Sequence, residues 1–305
     1  MLRYIVKRLM GAIPTLFIII TISFFLMRLA PGGPFSRERS LPPEIEANMI
    51  KAYHLDDPLW MQFLRYLGNL LQGDFGPSFK YKDFSVSELI GGGFPVSLML
   101  GGIAILLALA IGITAGTFAA LRQNSRTDYA TMGFAMVGIA IPNFVVAPML
   151  TLFISLKLGW LPVGSWGSAK HMVLPIIALA LPQIAAIARL TRGSMIEVLR
   201  SNFVRTARSK GLPEQVTVAR HALKAAMLPV VSYLGPAVAG IITGSVIIEQ
   251  IFGIPGIGRY FVQAALNRDY TLVMGVTIFY GALIIMLNLA ADIIYGFLDP
   301  KIRYD

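Results

Sequence analysis

Six long apolar runs dominate the sequence, and each has the length of a membrane-spanning helix. They cover approximately residues 9–29, 95–121, 129–158, 171–188, 230–251 and 273–298. About 20 apolar residues are needed to cross the hydrocarbon core of a bilayer. Only 14% of the 305 residues are charged, against about 25% in a soluble domain. The sequence therefore predicts an all-α membrane protein with six transmembrane helices.

The apolar pattern also divides the chain into regions. Residues 1–30 are predicted to form an N-terminal anchor helix, because no small-residue cleavage site follows the first run. Residues 31–93 are the longest polar segment and are expected to form an extracytoplasmic cap, with helical patterns at 45–53 and 59–71. Residues 94–305 form the membrane core.

The distribution of charge predicts the orientation. The segments on the side of the N-terminus are 1–8, 122–128, 189–228 and 299–305. Together they hold fifteen Lys and Arg residues but only five Asp and Glu residues, whereas the rest of the chain holds eleven of each. By the positive-inside rule this side is cytoplasmic, and so are both termini. The net charge of +10 thus reflects membrane topology, so the expected partner is membrane lipid and not nucleic acid.

A basic stretch at residues 203–229 interrupts the apolar pattern. Apolar residues recur there at helical spacing, which predicts two amphipathic helices. The predicted apolar positions are Ile196, Leu199, Phe203 and Ala207 in the first helix, and Val216, Ala219, Leu223 and Met227 in the second. Gly211 is expected to end the first helix in a left-handed conformation, and Pro213 fits the first turn of the second. A solvated basic loop that only fixes topology is the alternative.

The sequence offers little that could catalyse a reaction or drive transport. It has no cysteine, three scattered histidines and no G-x-x-x-x-G-K-[ST] loop, so no catalytic, metal, nucleotide or other cofactor site is predicted in this chain. Ionisable residues near the membrane are few and lie toward the ends of the runs: Arg28, Lys157, Glu249 and Asp292. An ion-driven carrier would place such groups near the midplane. Glu249 is either a functional acid or an interfacial acid paired with Arg259.

Several motifs resemble those of one family. The stretch RTARSKGLPEQVTVARHALKAAMLP, residues 205–229, resembles the cytoplasmic coupling loop of ABC-importer permeases. Arg205 and Thr206 stand where the general signature has Glu-Ala, but the peptide-importer branch reads R-x-A-R-x-K-G followed by R-H-A-L-x-x-x-x-L-P. Residues 54–59, 73–78, 249–258, 268–270 and 288–300 are similar to further motifs of that branch, with His54 replacing a glycine. The chain resembles the first membrane subunit of a bacterial oligopeptide ABC importer.

The resemblance implies a set of partners in the bacterial inner membrane. These are a second homologous permease, two ATPase subunits that carry ATP and Mg, an extracytoplasmic peptide-binding protein and a peptide substrate. It also implies that the coupling loop, residues 195–229, docks a helix on an ATPase. The residues expected at that contact are Arg205, Thr206, Ala207, Arg208, Lys210, Gly211 and Pro213.

Two further sets of residues are predicted. Helix breakers, small residues and the intramembrane acid suggest a pathway or gate, made of Pro142, Asn143, Phe144, Gly240, Gly244 and Glu249. The extracytoplasmic segments suggest contacts with the binding protein through Asp74, Phe75, Arg259, Arg268 and Asp269. Gly112 and Gly116 form a spacing that lets another helix approach closely. The alternatives are a permease of the same branch for dipeptides, nickel chelates or another small solute, and an ion-coupled secondary carrier or channel.

Overall fold

The computed structural model describes residues 2–29, 56–81 and 83–298. These residues form a helical bundle. In chain order the helices are α1 (Leu2–Leu29), α2 (Leu59–Leu71), α3 (Val86–Leu121), α4 (Arg126–Ala140), α5 (Asn143–Leu150, continued by the π-helical Thr151–Lys157), α6 (Ala169–Leu199), α7 (Asn202–Ser209), α8 (Glu214–Val216, the π-helical Thr217–Ala222 and Leu223–Ala226), α9 (Leu228–Phe252), α10 (Ile257–Leu266) and α11 (Tyr270–Leu298). The predicted helix at 59–71 is present, and the one at 45–53 lies outside the described residues.

Five helices in the described part of the chain are long and apolar enough to cross a membrane: α1, α3, α6, α9 and α11. A sixth crossing exists if α4 and α5 form one span, but they meet at a bend of 102°. The predicted third run at 129–158 is therefore broken and not continuous. Pro142 explains the break, because it supplies no backbone N–H and disfavours the helical conformation of the residue before it. Ile141 is accordingly extended, at φ −101° and ψ 120°.

The second run begins earlier than its apolar residues suggested. Ser85 and Glu88 form a capping box: the Glu88 N–H donates to Ser85 Oγ at 3.2 Å, and the Ser85 N–H donates to Glu88 Oε2 at 2.7 Å. This cap starts α3 at Val86, so residues 86–93 belong to a long helix. At 36 residues α3 is about 54 Å long. It exceeds the hydrocarbon core of about 30 Å and extends beyond the membrane.

The most extensive helix contact among the described residues joins α3 to α6. Gly112 and Gly116 face this contact, where a side chain at Gly112 would come within 2.8 Å of Ile187. A side chain at Gly116 would collide with the carbonyl oxygen of Ala188 and with Thr191. The close approach predicted for this pair of glycines is confirmed. It lets the two backbones meet without intervening side chains.

The basic segments gather at one end of the bundle. Arg8 of α1 forms an ion pair with Asp292 of α11 at 3.2 Å. Arg192 of α6 donates two hydrogen bonds of 2.6 Å to Asp128, which is buried in the first turn of α4, within the basic segment 122–128. The antiparallel packing of α9 on α11 brings the α7–α8 segment to the same end. We call this the basic end, and the other the opposite end.

Candidate coupling surface

Helix α7 packs on the basic end of the bundle through a buried apolar face. Ser201 precedes it in an extended conformation, at φ −70° and ψ 155°. Val204 and Ala207 are buried. Val204 belongs to a cluster that joins α7, α8 and the ends of α3 and α6: Ala120, Met195, Val204, Ala222 and Ala226, flanked by Ile196, Val198, Leu199, Val218 and Leu223. This packing fixes which face of α7 is free.

The structure corrects the predicted apolar face of α7. Phe203 was expected to be buried but is 49% exposed, while Val204 is fully buried. The prediction assumed one continuous helix, whereas α6 ends at Leu199 and a turn at Arg200 and Ser201 restarts the periodicity. Phe203 is therefore a surface residue that the sequence interpretation missed.

The turn after α7 confirms the role expected for Gly211, which has φ +77°. The Gly211 N–H donates to the carbonyl oxygen of Arg208 at 2.9 Å, and the Leu212 N–H donates to that of Ala207 at 3.4 Å. This pair of hydrogen bonds is a Schellman motif, in which a left-handed residue satisfies the last carbonyl groups of a helix. Pro213 then stands immediately before α8.

Helix α8 contains a π-helical segment that shifts its apolar face. Val218, Ala222 and Ala226 face the cluster, whereas Ala219, which was predicted on that face, is exposed. A π-helix hydrogen-bonds five residues back instead of four, so it inserts one residue into the repeat. A prediction based on regular α-helical spacing cannot anticipate this shift.

The free face of α7 combines one aromatic residue with basic and hydroxyl groups. The exposed residues are Asn202, Phe203, Arg205, Thr206, Ser209 and Lys210, and Leu212 follows in the turn. The hydroxyl of Thr206 donates to the carbonyl of Asn202 at 2.9 Å and that of Ser209 to Arg205 at 3.0 Å, so both hydroxyls are turned back on the helix. Ala207, by contrast, is buried beneath this face.

Arg208 is engaged within the pair of helices. Its guanidinium donates two hydrogen bonds to Glu214, of 3.0 Å from Nε and 2.6 Å from Nη2. These bonds from Arg208 hold the pKa of the Glu214 carboxyl below its ordinary value and raise the pKa of Arg208. The pair spans the Gly211 turn and engages the guanidinium of Arg208, which is itself exposed. Arg205 on α7 and Lys210 just after it are also exposed cations.

If α7 binds the ATPase subunit that the resemblance implies, removing this ion pair by Glu214→Gln should weaken that binding at most about fivefold, since exposed pairs contribute about 0.2–1 kcal/mol. Because the pKa of Glu214 is lowered on folding, its contribution is complete above the ordinary glutamate pKa of about 4.3 and is lost only as the pH falls through the lower value. When ATPase binding is measured at several pH values between about 5.5 and 8, the ratio of the affinity of the variant to that of the unaltered chain should stay constant. An affinity ratio that approaches one within that pH range would contradict the assigned contribution of the Arg208–Glu214 ion pair.

The predicted pathway residues lie in two separate places. Pro142, Asn143 and Phe144 form the bend between α4 and α5, where Phe144 is 55% exposed. Gly240 and Gly244 lie on α9, and nothing is within 4 Å of a side chain added at Gly240. Glu249 lies on α9 as well, five residues after Gly244, and α9 contacts α5. A role of these residues in a pathway remains a prediction.

Glu249 is fully buried at the opposite end, near the last turn of α9. Its carboxylate accepts hydrogen bonds from Ser245 Oγ at 2.6 Å and from the Gly258 N–H at 2.8 Å. Ser97 of α3 accepts from the Ile257 N–H at 3.0 Å beside it. Arg259 is exposed and donates to the carbonyl of Gly253, so the predicted pair of Glu249 with Arg259 is not formed. Glu249 therefore fixes the α9–α10 turn to the bundle.

Alanine and glutamine at position 249 should have different effects. Glu249→Ala leaves the buried Gly258 N–H without an acceptor, which costs about 1–3 kcal/mol and should lower the melting temperature of the purified complex. Glu249→Gln keeps an acceptor for Gly258, and its amide can donate to Ser245 Oγ, so most of the stability should remain. If the glutamine variant were as unstable as the alanine variant, the negative charge itself would be required.

The residues predicted to contact a binding protein are not equally accessible. Asp74, Arg259 and Arg268 are exposed, and Phe75 is half-buried. Asp269 is 1% exposed, and its carboxylate accepts from Ser78 Oγ at 2.5 Å and from the Lys80 N–H at 3.1 Å. Asp269 thus joins the 73–81 loop to the start of α11 and has no free carboxylate for a direct contact.

Comparisons with known proteins agree with this architecture. Residues 112–304 match the family described as binding-protein-dependent transport system inner membrane component, and residues 1–101 match its N-terminal membrane component. The oligopeptide transport system permease protein OppB of Salmonella typhimurium is 60% identical over the full length of both chains. The dipeptide transport system permease protein DppB of Bacillus subtilis is 45% identical over 99% of this chain and 98% of its own.

A solved structure of the inward-facing MetNI methionine ABC transporter shares the fold. It has a TM-score of 0.60 and 16% identity, and the match covers 69% of this chain and 96% of the other. An amino acid ABC transporter gives a TM-score of 0.52 with 18% identity, over 68% and 94% of the two chains. The family match and these relatives indicate a multi-pass transport subunit of the inner membrane and not an enzyme. The chain belongs to the inner membrane components of binding-protein-dependent transport systems, the permease subunits of ABC importers.

Proposed function

We propose that this chain is one of two permeases that form the pathway of an ATP-driven importer of oligopeptides. The observation that carries the proposal is the identity of 60% across the whole chain to a permease named for oligopeptide transport. Two ATPase subunits would bind ATP and Mg, and an extracytoplasmic binding protein would deliver the peptide. The basic end would face the cytoplasm with both termini, as the excess of Lys and Arg there favours.

The free face of α7 would dock in a groove on an ATPase subunit. An amphipathic helix in a groove is a common recognition mode, and exposed Phe203 offers an aromatic anchor between polar neighbours. Arg205 and Lys210 supply positive charge at the same surface. Thr206 lies between them, while Ala207 and Gly211 shape the helix and its end without contacting the partner.

Movement of α7 would reach the membrane through its buried face. Val204 shares a cluster with Met195, close to the end of the long helix α6. Ala222 and Ala226 of α8 share that cluster, and α8 leads directly into α9. A rigid displacement of α7 would therefore move α6 and α9 together when the ATPases close.

Reconstitution tests the proposed function. The two permeases, the ATPases and the binding protein are placed in proteoliposomes, and uptake of labelled oligopeptides and dipeptides is followed with and without ATP. Uptake of oligopeptides should require ATP and the binding protein, and it should persist when ionophores remove ion gradients. Uptake by this chain alone that ends with the ion gradient would support a secondary carrier. Uptake of dipeptides only would assign a different substrate.

A further inference from the structure

Helix α2 carries an exposed apolar row that the proposed function does not use. Its sequence, LWMQFLRYLGNLL, contains one charged residue, Arg65. Trp60, Leu64 and Leu71 are 60%, 57% and 90% exposed. The adjacent face of the helix is packed against α1 and α11 through Phe63, Tyr66, Leu67 and Leu70. Three large apolar side chains together on a helix with a single charge need an apolar environment.

The contacts of Phe63 show how deep α2 lies. Its ring centroid is 5.2 Å from that of Phe24 and 6.2 Å from that of Phe17. Phe17 lies twelve residues before the end of α1, which is about 18 Å along the helix axis. The same cluster includes Met274 and Ile278, in the first turns of α11. Helix α2 therefore packs beside the membrane-spanning parts of α1 and α11 and not above them.

The two flanks of α2 are oriented differently with respect to the membrane. The polar flank, with Arg65 and Asn69, lines a cavity of about 100 Å³ together with Arg28 and Thr271, which lie at the ends of α1 and α11. By helical geometry Trp60, Leu64 and Leu71 lie on the other flank, next to the ring of Phe63 that reaches Phe17. The polar flank thus faces the end of the spans, and the apolar flank faces their middle.

We propose that α2 is embedded in the extracytoplasmic leaflet, with Trp60, Leu64 and Leu71 against lipid acyl chains. An amphipathic helix at the membrane interface buries its apolar face among acyl chains while its polar face stays in contact with headgroups and water. Tryptophan is favoured at that level, and the polar flank with Arg65 stays hydrated. The segment 59–71 then belongs to the membrane and not to an aqueous cap. The depth of α2 depends only on α1 and α11 crossing the bilayer. The choice of the extracytoplasmic leaflet rests on the orientation given with the proposed function.

Spin labels on single cysteines test this placement in the whole complex. The chain has no cysteine of its own, so Leu64→Cys and Arg65→Cys each provide one site on opposite flanks of the same turn. The labelled complex is reconstituted in lipid vesicles, and accessibility to oxygen and to a water-soluble nickel chelate is measured. At position 64 oxygen accessibility should exceed nickel accessibility severalfold, and at position 65 the order should reverse. Leu71→Cys should behave like Leu64→Cys.

Two results would overturn the proposal. Equal, high nickel accessibility at positions 64 and 65 would place α2 in water. A label at position 64 that is immobile and inaccessible to both reagents would mean that another protein covers this face. Peptide uptake is measured in the same vesicles, so loss of transport with the predicted accessibilities would contradict only the proposed function.

Discussion

Replacing Gly211 by valine is expected to lower ATP-driven uptake at least about tenfold while the amount of chain in the membrane stays the same. The reason lies in the backbone, because Gly211 has φ +77° and no atom lies within 4 Å of an added side chain. A left-handed conformation costs a residue with a Cβ roughly 1–2 kcal/mol, and a β-branched residue more. The Schellman turn would open, and α7 would lose its fixed position relative to α8.

The control for this variant is Gly211→Asn, since asparagine tolerates the left-handed conformation better than other residues with a side chain. It should retain much more uptake than the valine variant at equal expression. Uptake and the fraction of ATPase that copurifies are measured for both. Full coupling by Gly211→Val would show that the turn does not position α7.

The second large effect is expected at the contact of α3 with α6. Gly116→Val should prevent formation of a stable complex, because the new side chain would collide with the backbone of Ala188 and with Thr191. Backbone atoms cannot move aside as a flexible side chain can, so the cost should exceed the roughly 1–3 kcal/mol typical of overpacking. The measured quantities are the yield of monodisperse complex in detergent and its melting temperature.

Gly102→Val is the matched control on the same helix. It introduces the same side chain and the same change in helix propensity, but nothing lies within 4 Å of its Cβ. A complex with Gly102→Val should keep nearly normal yield. Equal loss from both variants would mean that valine harms α3 by itself and that the close approach at Gly116 is not decisive.

Composition and apolar run length were sufficient to predict the class of protein and the positions of most long helices. The Gly211 conformation and the helix at 59–71 also followed from local residue chemistry. The turn and the short helix depend on residues that are neighbours in the sequence. The length of the apolar runs reflects the thickness of the bilayer, so all of these features can be inferred from single segments of the chain. The contact between Gly112, Gly116 and α6 was predicted as a close approach, although its partner helix was not.

Other features depended on breaks in helical periodicity. Phe203 was placed on the wrong face because α6 ends at Leu199, and Ala219 because a π-helical segment inserts a residue. The carboxylate of Asp269 was expected at the surface, but its partner Ser78 is 191 positions away in the sequence. Spacing within one segment cannot reveal such a distant contact. The assignment of helical faces was therefore wrong where a helix restarts after a turn and where a π-helical segment interrupts the α-helical repeat.

The most direct test of the central claim is a cross-link from α7 to an ATPase subunit. A single cysteine replaces Thr206, on the free face of α7, and in a control variant it replaces Gln72, which is exposed at the opposite end. The assembled importer is treated with a thiol cross-linker in membranes. The account predicts a cross-link to the ATPase from position 206 and none from position 72. An ATPase cross-link from position 72, or none from position 206 in a complex that still transports peptide, would contradict it.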